Sequence, residues 1–260
     1  MDNLKVSVII PVYNSQNSIF NALNSIKEQT YSNIEVIIIN DGSSDESNNV
    51  IKEFIRNNSE MDIKYIIQEN SGVSISRNNG ILISKGEFIA FLDSDDKWEP
   101  NKLQEQIDIF NSNNQICLIG TKVYTSKMIR KEMIGDIDEI NFYKLLFKNY
   151  FVTSSVLIRR KVLDTVGLFI PNQNYSEDFN LWLRIAYHFK CVVLNKQLTY
   201  YDINNTGLSS KLFRMEFSEL LNFLDLYKSR KINIFTLVFI SVFSIIKFLR
   251  RVAYQIILGK

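Results

Sequence analysis

The amino-acid sequence predicts an α/β fold in which a mainly parallel, Rossmann-like sheet is flanked by helices and followed by a helical extension. In the first 125 residues, short β-branched runs alternate with segments whose apolar residues recur at helical spacing, which is typical of βαβ units. Only 9 glycines and 3 prolines occur among 260 residues, so long regular elements and short connections are expected. A hydrophobic content of 46% and a charged content of 22% exclude a disordered or collagen-like chain.

Each predicted strand of the first half is a short, nearly continuous apolar run. Such runs are typical of strands that helices cover on both faces. The run that begins at Lys5 is ended by Pro11, and the last run closes the series before a polar segment. The predicted strands are residues 5–10, 34–39, 63–67, 88–92 and 116–123.

Four helices are predicted between these strands, because apolar residues there lie three and four apart. The first follows Ser18, which can cap it, and the fourth begins after Pro100. Ser43 and Glu46 lie three apart, so they predict a capping box for the second helix. The apolar stripes occupy residues 19–26, 50–55, 73–84 and 101–110.

The second half of the chain is less regular. Helices and strands are predicted there at residues 139–148, 155–158, 179–186 and 191–194. Two more helices are expected beyond Ser209. We therefore expect a domain at residues 1–210, with halves at 1–125 and 126–210, and a helical extension at 211–260.

Charge and rare residue types exclude several classes of function. Thirty basic and 28 acidic side chains leave a net charge of +2, which is too balanced to indicate a nucleic-acid partner. Cys117 and Cys191 fit a reducing compartment, and a single histidine, His188, excludes mechanisms that need several imidazoles. The first apolar run is short and broken by Pro11, so it does not resemble an export signal, and a cytoplasmic location is expected.

The polar stretches that follow the predicted strands indicate where a ligand binds. Ligands of open parallel sheets bind outside the carboxyl ends of the strands. Asp93, Asp95 and Asp96 follow the fourth strand, and their mutual repulsion favours a bound cation. Mg²⁺ is often held by one or two carboxylates together with substrate phosphates. The alternative is a solvated acidic turn.

Four other residues carry a functional and a structural interpretation. Asp41 ends the second strand and is free to accept a hydrogen bond from a base, or it forms a turn with Gly42. Arg77 either pairs with a phosphate or lies on the surface. Glu177 and Asp178 precede a helix, where they stabilise it or where a carboxylate stays ionised, as a general base requires.

Together these residues resemble the family 2 glycosyltransferases, which adopt the GT-A fold. Five stretches carry the resemblance, in order and at compatible spacings, and it covers roughly residues 4–205. They are V-I-I-P-V-Y-N at 8–14, N-D-G-S-S-D at 40–45, S-R-N-N-G at 76–80, F-L-D-S-D-D at 91–96 and E-D at 177–178. The resemblance implies a metal-dependent enzyme that transfers a sugar from a nucleoside-diphosphate donor, such as a UDP-sugar, with inversion at the anomeric carbon.

The resemblance also assigns roles to individual residues. Donor binding falls to Pro11, Val12, Tyr13, Asp41, Arg77, Asn78, Asp93 and Ser94. Within this set the first three border the nucleobase, Asp41 binds it, Arg77 and Asn78 line the diphosphate side, and Asp93 faces the ribose or sugar. Asp95, the second acid of this Asp-x-Asp motif, contacts Mn²⁺ or Mg²⁺. Asp178 is the catalytic base, with Glu177 as the second choice.

Two other classes of function remain as alternatives. The late loop at residues 200–209 lacks the Arg or His that the family often has there, so a non-catalytic nucleotide-sugar-binding or scaffold protein stays open. A nucleotidyltransferase would carry a Gly-rich, Arg-containing loop after the first strand, and a dehydrogenase would carry G-x-G-x-x-G there. This sequence has neither motif after its first strand. The leading interpretation is a glycosyltransferase acting on a glycan or lipid-linked acceptor in surface polysaccharide synthesis.

The C-terminal extension suits a membrane surface. Residues 232–246 carry no charge but are shorter than the roughly 20 apolar residues that a span needs. The polar residues of this segment share one helical stripe, which favours an amphipathic helix in the interface. Six basic residues between 228 and 251 suit anionic headgroups, so residues 228–260 are expected to contact the inner face of the cell membrane peripherally. The alternative is packing on the domain or on a second subunit.

Overall fold

The computed structural model describes residues 4–128, 135–173, 175–202 and 212–257. In the first half, strands and helices alternate as the sequence predicts. The elements are β1 (Val6–Val12), α1 (Ile19–Lys27), β2 (Ile34–Asn40), α2 (Ser47–Asn57), β3 (Asp62–Ile67), α3 (Val73–Ile83), β4 (Phe88–Phe91), β5 (Lys97–Trp98), α4 (Lys102–Ser112) and β6 (Ile116–Tyr124). The five predicted strands and four predicted helices are confirmed, and the two-residue strand β5 is an addition.

The second half confirms the predicted elements there and adds three. Its elements are β7 (Ile137–Glu139), α5 (Phe142–Phe147), a 3₁₀ turn (Thr153–Ser155), β8 (Leu157–Arg159), α6 (Val162–Val166), α7 (Glu177–His188), β9 (Lys190–Tyr200), α8 (Leu212–Lys228) and α9 (Ile234–Ile257). Strand β7, the 3₁₀ turn and the short helix α6 have no counterpart in the prediction.

Within the described residues, nine strands form one sheet in the order β3-β2-β1-β4-β8-β6-β9-β5, with β7 paired to β9. The part formed by β1 to β4 is parallel, with Ile9 opposite both Ile37 and Phe91. Strand β8 enters antiparallel between β4 and β6. The Ser154 hydroxyl, just before β8, accepts from the backbone N–H of Asp93 at the carboxyl end of β4, and β8 runs back along β4 from there. The sheet is therefore parallel in its first half and mixed in its second.

Pro11 lies inside β1, although proline removes a ladder donor and is rare in central strands. Ile9 directs its carbonyl toward β4, where it accepts from the N–H of Leu92 at 3.0 Å, and Pro11 faces the same side. The pairing of β1 with β4 ends at Ile9 and Phe91, so the missing N–H of Pro11 removes no ladder bond. Strand β1 consequently extends to Val12, which pairs with Asn40 of β2, two residues beyond the prediction.

Alternate residues of β1 pack into two hydrophobic layers, one on each face of the sheet. Val8 and Ile10 pack toward α1, α2 and α4, whereas Ile9 belongs to the layer that contains Trp182 of α7. Phe223 of α8 is buried in the same layer as Ile9. The extension therefore packs on the domain, as the alternative interpretation expected. The division at residue 210 stays a prediction.

Helix α9 packs on the protein through a mixed face, in which Leu237 and Ile240 join the hydrophobic layer beside Ser244. Ser244 is 1% exposed and donates to Glu219 of α8 at 2.7 Å, and Lys247 lies 3.2 Å from the same carboxylate. Phe235 and Phe239, on the opposite side, are 82% and 64% exposed. The helix thus buries some of its apolar residues and leaves others exposed. None of the helices in the described ranges has the length and apolarity that a bilayer crossing requires.

Candidate active site

Arg77 joins two of the predicted site stretches. It projects from α3, is 3% exposed, and donates to Asp93 after β4 and to Glu177 at the start of α7, each at 2.7 Å. Burial alone would lower the pKa of Arg77, but the charges of Asp93 and Glu177 outweigh it and raise the pKa. Its two terminal nitrogens therefore bind carboxylates of the chain itself. The expected contact of Arg77 with a diphosphate stays a prediction.

The three carboxylates after β4 lie in different environments. Asp96 is 1% exposed, and its carboxylate accepts from the Ser154 hydroxyl and from the N–H of Asp202 at 3.0 Å. Burial and the charge of Asp93 raise the pKa of Asp96. Asp95 is exposed, and desolvation with the charges of Asp93 and Asp202 raises its pKa to about 6. Asp96 anchors the loop, and Asp95 is the carboxylate directed to solvent.

The fit of this loop to a metal ion depends on Asp95. Among the described residues, no three His, Cys, Asp or Glu side chains are grouped as a complete metal site. One exposed carboxylate beside other negative charges suits a hard divalent cation whose remaining ligands are phosphate and water oxygens. Desolvation, followed by the charges of Asp93 and Asp202, raises the pKa of Asp95, and a cation would offset the repulsion from those charges. The residues present would therefore fit Mn²⁺ or Mg²⁺ through Asp95 alone, with the other ligands coming from phosphate and water oxygens.

Asp41 lies buried at the end of β2, and its carboxylate is already engaged. One oxygen accepts from the side-chain amide of Gln68 at 2.7 Å and from the N–H of Ser71 at 2.9 Å, and the other accepts from the N–H of Gly72 at 2.9 Å. This carboxylate is therefore already bonded within the protein, and its expected contact with a base stays a prediction. The carboxylate fixes the loop after β3 against the loop after β2, and the oxygen that faces Gly72 keeps capacity for one more donor.

The residues after β1 are positioned by the loop after β2. Pro11 and Val12 are buried in the strand, whereas Tyr13 is 54% exposed. Asn14 has a left-handed backbone with φ of 49°, its N–H donates to Ser43, and its side chain accepts from the N–H of Ser44. Of the three residues expected to border the base, Tyr13 is the one whose side chain is accessible.

Two more predicted donor residues have partners within the protein. The amide of Asn78 both donates to and accepts from the backbone of Phe169, at 2.8 and 3.0 Å, so it holds the loop before α7 rather than an open surface. The Ser94 hydroxyl lies 2.7 Å from that of Ser15. Ser94 therefore links the loop after β4 to the loop after β1, and Asn78 is not brought into this group.

Asp178 follows Glu177 in the first turn of α7. Its carboxylate accepts from the Thr153 hydroxyl at 3.2 Å and from the Asn149 amide at 3.4 Å. Burial and the charge of Glu177 raise the pKa of Asp178 to about 7. Burial thus opposes the ionised form that the helix N-terminus favours, and the role of Asp178 as the base stays a prediction. A base with a pKa near the working pH is nevertheless well suited to proton transfer.

The 3₁₀ turn before β8 connects Asp178 to the acidic loop. Thr153 binds Asp178, and the next residue, Ser154, binds the backbone of Asp93 and the carboxylate of Asp96. This turn and Arg77 hold the acidic loop and the start of α7 together. Sequence reasoning missed Thr153 and Ser154, since a Thr-Ser-Ser run carries no motif of its own.

A second missed residue, Asn222 of α8, supports the start of α7. Ser176 has a left-handed backbone with φ of 50°, and its carbonyl accepts from the Asn222 amide at 3.0 Å. The Asn222 amide oxygen accepts from Asn180 and Gln173. Helix α8 thus fixes the residue that precedes Glu177. The late loop at 203–209, which lacked the expected basic residue, lies outside the described residues.

Comparison with known proteins identifies the family. The model of the family described as "Glycosyl transferase family 2" matches residues 7–167, which is more than half of the chain. The chain belongs to glycosyltransferase family 2. The matched range contains the loops after β1, β2 and β4, and the start of α7 follows it in sequence.

Two relatives show how this family 2 chain compares in length. It is 31% identical over 219 residues to the UDP-Glc:alpha-D-GlcNAc-diphosphoundecaprenol beta-1,3-glucosyltransferase WfgD of Escherichia coli, covering 82% of this chain and 83% of the relative. It is 34% identical over 189 residues to an uncharacterized glycosyltransferase of Rickettsia conorii, covering 69% of this chain but 31% of that protein. The chain thus spans about a third of the length of some curated relatives.

Solved structures of two glycosyltransferases share the fold. Staphylococcus aureus TarS (1–349) with UDP-GlcNAc superposes with a TM-score of 0.72 at 21% identity, covering 86% of this chain and 66% of that one. Mannosyltransferase PcManGT from Pyrobaculum calidifontis, with GDP-Man and Mn²⁺, gives a TM-score of 0.70 at 16% identity, covering 86% of this chain and 64% of that one. The expected GT-A fold of the family 2 glycosyltransferase is confirmed.

Proposed function

We propose that this chain is an inverting, metal-dependent glycosyltransferase that moves a sugar from a nucleoside-diphosphate-sugar to a hydroxyl of a glycan or lipid-linked acceptor. The observation behind the proposal is that one turn of the chain supports both Asp178 and the acidic loop after β4. Thr153 binds Asp178 while its neighbour Ser154 binds the acidic loop after β4. This shared turn supports the proposal, because a single displacement requires the proton acceptor and the diphosphate site to be held in a fixed relation.

In the proposed mechanism, Asp178 acts on the acceptor. Its carboxylate accepts the proton of the attacking hydroxyl as the new bond from oxygen to the anomeric carbon forms and the bond from that carbon to the diphosphate breaks. Asp93 and Ser94 contact the ribose or sugar, and Asp95 would hold the divalent cation. Mn²⁺ or Mg²⁺ supplies neutralisation of the charge on the leaving diphosphate. No covalent intermediate on a side chain is needed.

UDP is the nucleotide we propose for the donor. The name of the similar WfgD includes UDP-Glc, and the TarS structure contains UDP-GlcNAc. In this chain, the unused capacity of Asp41 toward an N–H donor and the exposed ring of Tyr13 support a pyrimidine base at this edge. PcManGT, with GDP-Man and Mn²⁺, supports the proposed use of a cation and keeps GDP donors as an outcome of the test.

The proposed acceptor is a membrane-embedded glycan lipid, used in surface polysaccharide synthesis. WfgD is named for an acceptor linked to diphosphoundecaprenol. The exposed apolar face of α9 and the six basic residues between 228 and 251 support peripheral contact with the inner face of the cell membrane. Flotation of the full chain with vesicles of a bacterial lipid extract tests this contact, and a chain that stays wholly unbound refutes it.

Calorimetry and turnover test the catalytic proposal. We expect UDP to bind more tightly with Mn²⁺, and Asp95→Asn to remove this gain. Asp178→Asn should keep UDP affinity but abolish UDP release from UDP-glucose and UDP-GlcNAc with a lipid extract as acceptor. Asp164→Asn, an exposed carboxylate on α6, is the matched control and should behave as wild type.

Three results would count against these roles. Metal-indifferent UDP binding that survives Asp95→Asn removes the proposed cation site. Unchanged turnover in Asp178→Asn removes that residue as the base. UDP-sugar binding by the wild-type chain without turnover of any donor favours the non-catalytic alternative.

A further inference from the structure

The turn between α8 and α9 forms a positively charged cleft away from the candidate active site. The cleft has a volume of about 560 Å³. Among the described residues that line it, none is acidic. The cationic and polar lining residues are Lys228, Arg230, Lys231, Tyr143, Tyr227 and Asn233.

The backbone of this turn places an arginine where glycine is usual. Helix α8 ends in a Schellman motif, since Lys231 N–H donates to the Leu226 carbonyl and Arg230 N–H donates to that of Tyr227. Arg230 occupies the left-handed position with φ of 58°. Glycine fits this position best because it has no Cβ. A local backbone preference is therefore overridden to present a guanidinium at the cleft.

The positive charge of the cleft is not neutralised from within. Among the described residues, neither Lys228 nor Arg230 has an acidic partner within ion-pair distance. Burial and the nearby Arg184 lower the pKa of the Lys231 ammonium, and the charge of Asp225 opposes them only in part. An anion in the cleft would offset this crowding of cations. Two tyrosine hydroxyls and an amide add hydrogen-bond donors suited to phosphate oxygens.

The surface beside the cleft is apolar. On α9 the exposed residues recur at three- and four-residue spacing, as do those on the neighbouring α8. Those exposed at 55% or more are Phe213, Phe217, Phe235, Val238, Phe239, Ile246, Leu249 and Tyr254. Phe213 contacts Phe248 with ring centroids 6.3 Å apart, so the two helices lie side by side. Contiguous apolar faces of this kind mark protein or membrane contacts.

Charge decides between a membrane and a second copy of the chain. Residues 226–257 contain six basic residues and no acid. A two-fold contact between copies would place this surface against itself and bring like charges together. An anionic bilayer supplies phosphates for the cations and an acyl boundary for the phenylalanines.

We propose that this cleft binds the phosphate of an anionic phospholipid, while the exposed faces of α8 and α9 enter the acyl boundary beside it. The inference rests on the membrane contact proposed above and assigns it a headgroup site. The helical hairpin then lies in the plane of the interface. Because α8 holds Ser176 through Asn222, the hairpin connects the bilayer surface to the start of α7.

Vesicle flotation with the full chain tests the headgroup site. Phosphatidylcholine vesicles are compared with vesicles of equal parts phosphatidylcholine and phosphatidylglycerol. We expect tighter binding to the anionic vesicles and a loss of at least about tenfold in the double variant K228E/R230E. K27E/K52E, with the same change of net charge on α1 and α2, is the matched control and should retain binding. Thermal unfolding verifies that each variant folds.

The other outcomes separate the alternatives. If K228E/R230E and the wild type bind the vesicles equally, the proposal that the cleft binds the headgroup is refuted. This holds even if F235S/F239S abolishes vesicle binding and so supports the apolar contact. A dimer in sedimentation velocity that F235S/F239S dissociates overturns the lipid as occupant. If inorganic phosphate saturates the cleft without weakening vesicle binding, the proposal that the cleft binds a lipid phosphate is also refuted. UDP binding is measured by calorimetry without vesicles, so that experiment tests the donor-site proposal independently of the headgroup site.

Discussion

Replacing Arg77 by methionine removes the cation between β4 and α7, and we expect a large loss of stability. Arg77 makes two charge-assisted hydrogen bonds of 2.7 Å. Removing one partner of a buried ion pair lowers the free energy of unfolding by roughly 3–5 kcal/mol, because the remaining charge is left uncompensated. The Glu177 side chain is 10% exposed and that of Asp93 is 30% exposed. Most of the loss therefore comes from Glu177, since water screens Asp93 in part.

Urea unfolding at neutral pH measures this loss as a lower midpoint at an unchanged slope. The double variant Arg77→Met with Glu177→Gln should regain part of it, since the amide carries no charge. Arg160→Met is the matched control, because Arg160 donates to the carbonyl of Ser84 and not to a carboxylate. We expect this control to lose about 1 kcal/mol.

Two results would refute the reasoning about Arg77. A free energy of unfolding within about 1 kcal/mol of wild type for Arg77→Met would mean that water or movement of α7 neutralises the carboxylates. A double variant no more stable than the single variant would show that Glu177 does not carry the penalty. Either outcome would mean that Arg77 does not stabilise the connection between the acidic loop and Glu177, the residue next to the proposed base Asp178.

Three further predictions test other parts of the molecule. In Gly80→Ala the new Cβ would lie 2.4 Å from Cγ2 of Ile9, so we expect a loss of about 1–3 kcal/mol in thermal unfolding despite the better helix propensity of alanine. Burial lowers the pKa of Lys102, so the unfolded chain binds more protons up to about pH 10.4. The free energy of unfolding of the wild type, measured with urea, should therefore rise relative to that of Lys102→Met as the pH increases toward that value. Since Asp178 must be ionised to accept a proton, kcat/KM should fall below its pKa of about 7, and Thr153→Val should move that midpoint upward.

The sequence was sufficient for the parallel half of the sheet because its signals are local. Residues 34–39 form an apolar run that only Glu35 interrupts, and similar apolar runs alternate with helical patterns in order up to β6. The antiparallel entry of β8 has no such signal. It depends on Ser154, whose hydroxyl is held by the loop after β4. Contacts between residues about 60 positions apart cannot be read from periodicity.

The capping box predicted for α2 is wrong for a similar reason. The helix begins at Ser47, and neither Ser43 nor Glu46 caps it through a side-chain hydrogen bond. The Ser43 hydroxyl instead accepts from the N–H of Asn14, in the loop after β1. A tertiary partner thus displaces a local one, because the two loops meet at the carboxyl edge of the sheet. The motif correctly indicates where the site lies, but it does not predict which hydrogen bond each hydroxyl makes.

The helical stripe of α9 shows how far periodicity can lead. The pattern identifies which residues share a face, and the structure brings Ser244 and Lys247 to one side as expected. It cannot tell which face meets the domain. Glu219 of α8 supplies the polar partner for both residues, so their hydrogen bonds are satisfied beside the buried Leu237 and Ile240. The face that meets the domain therefore combines apolar and polar side chains, because a polar residue packs inward wherever the neighbouring helix offers it a partner.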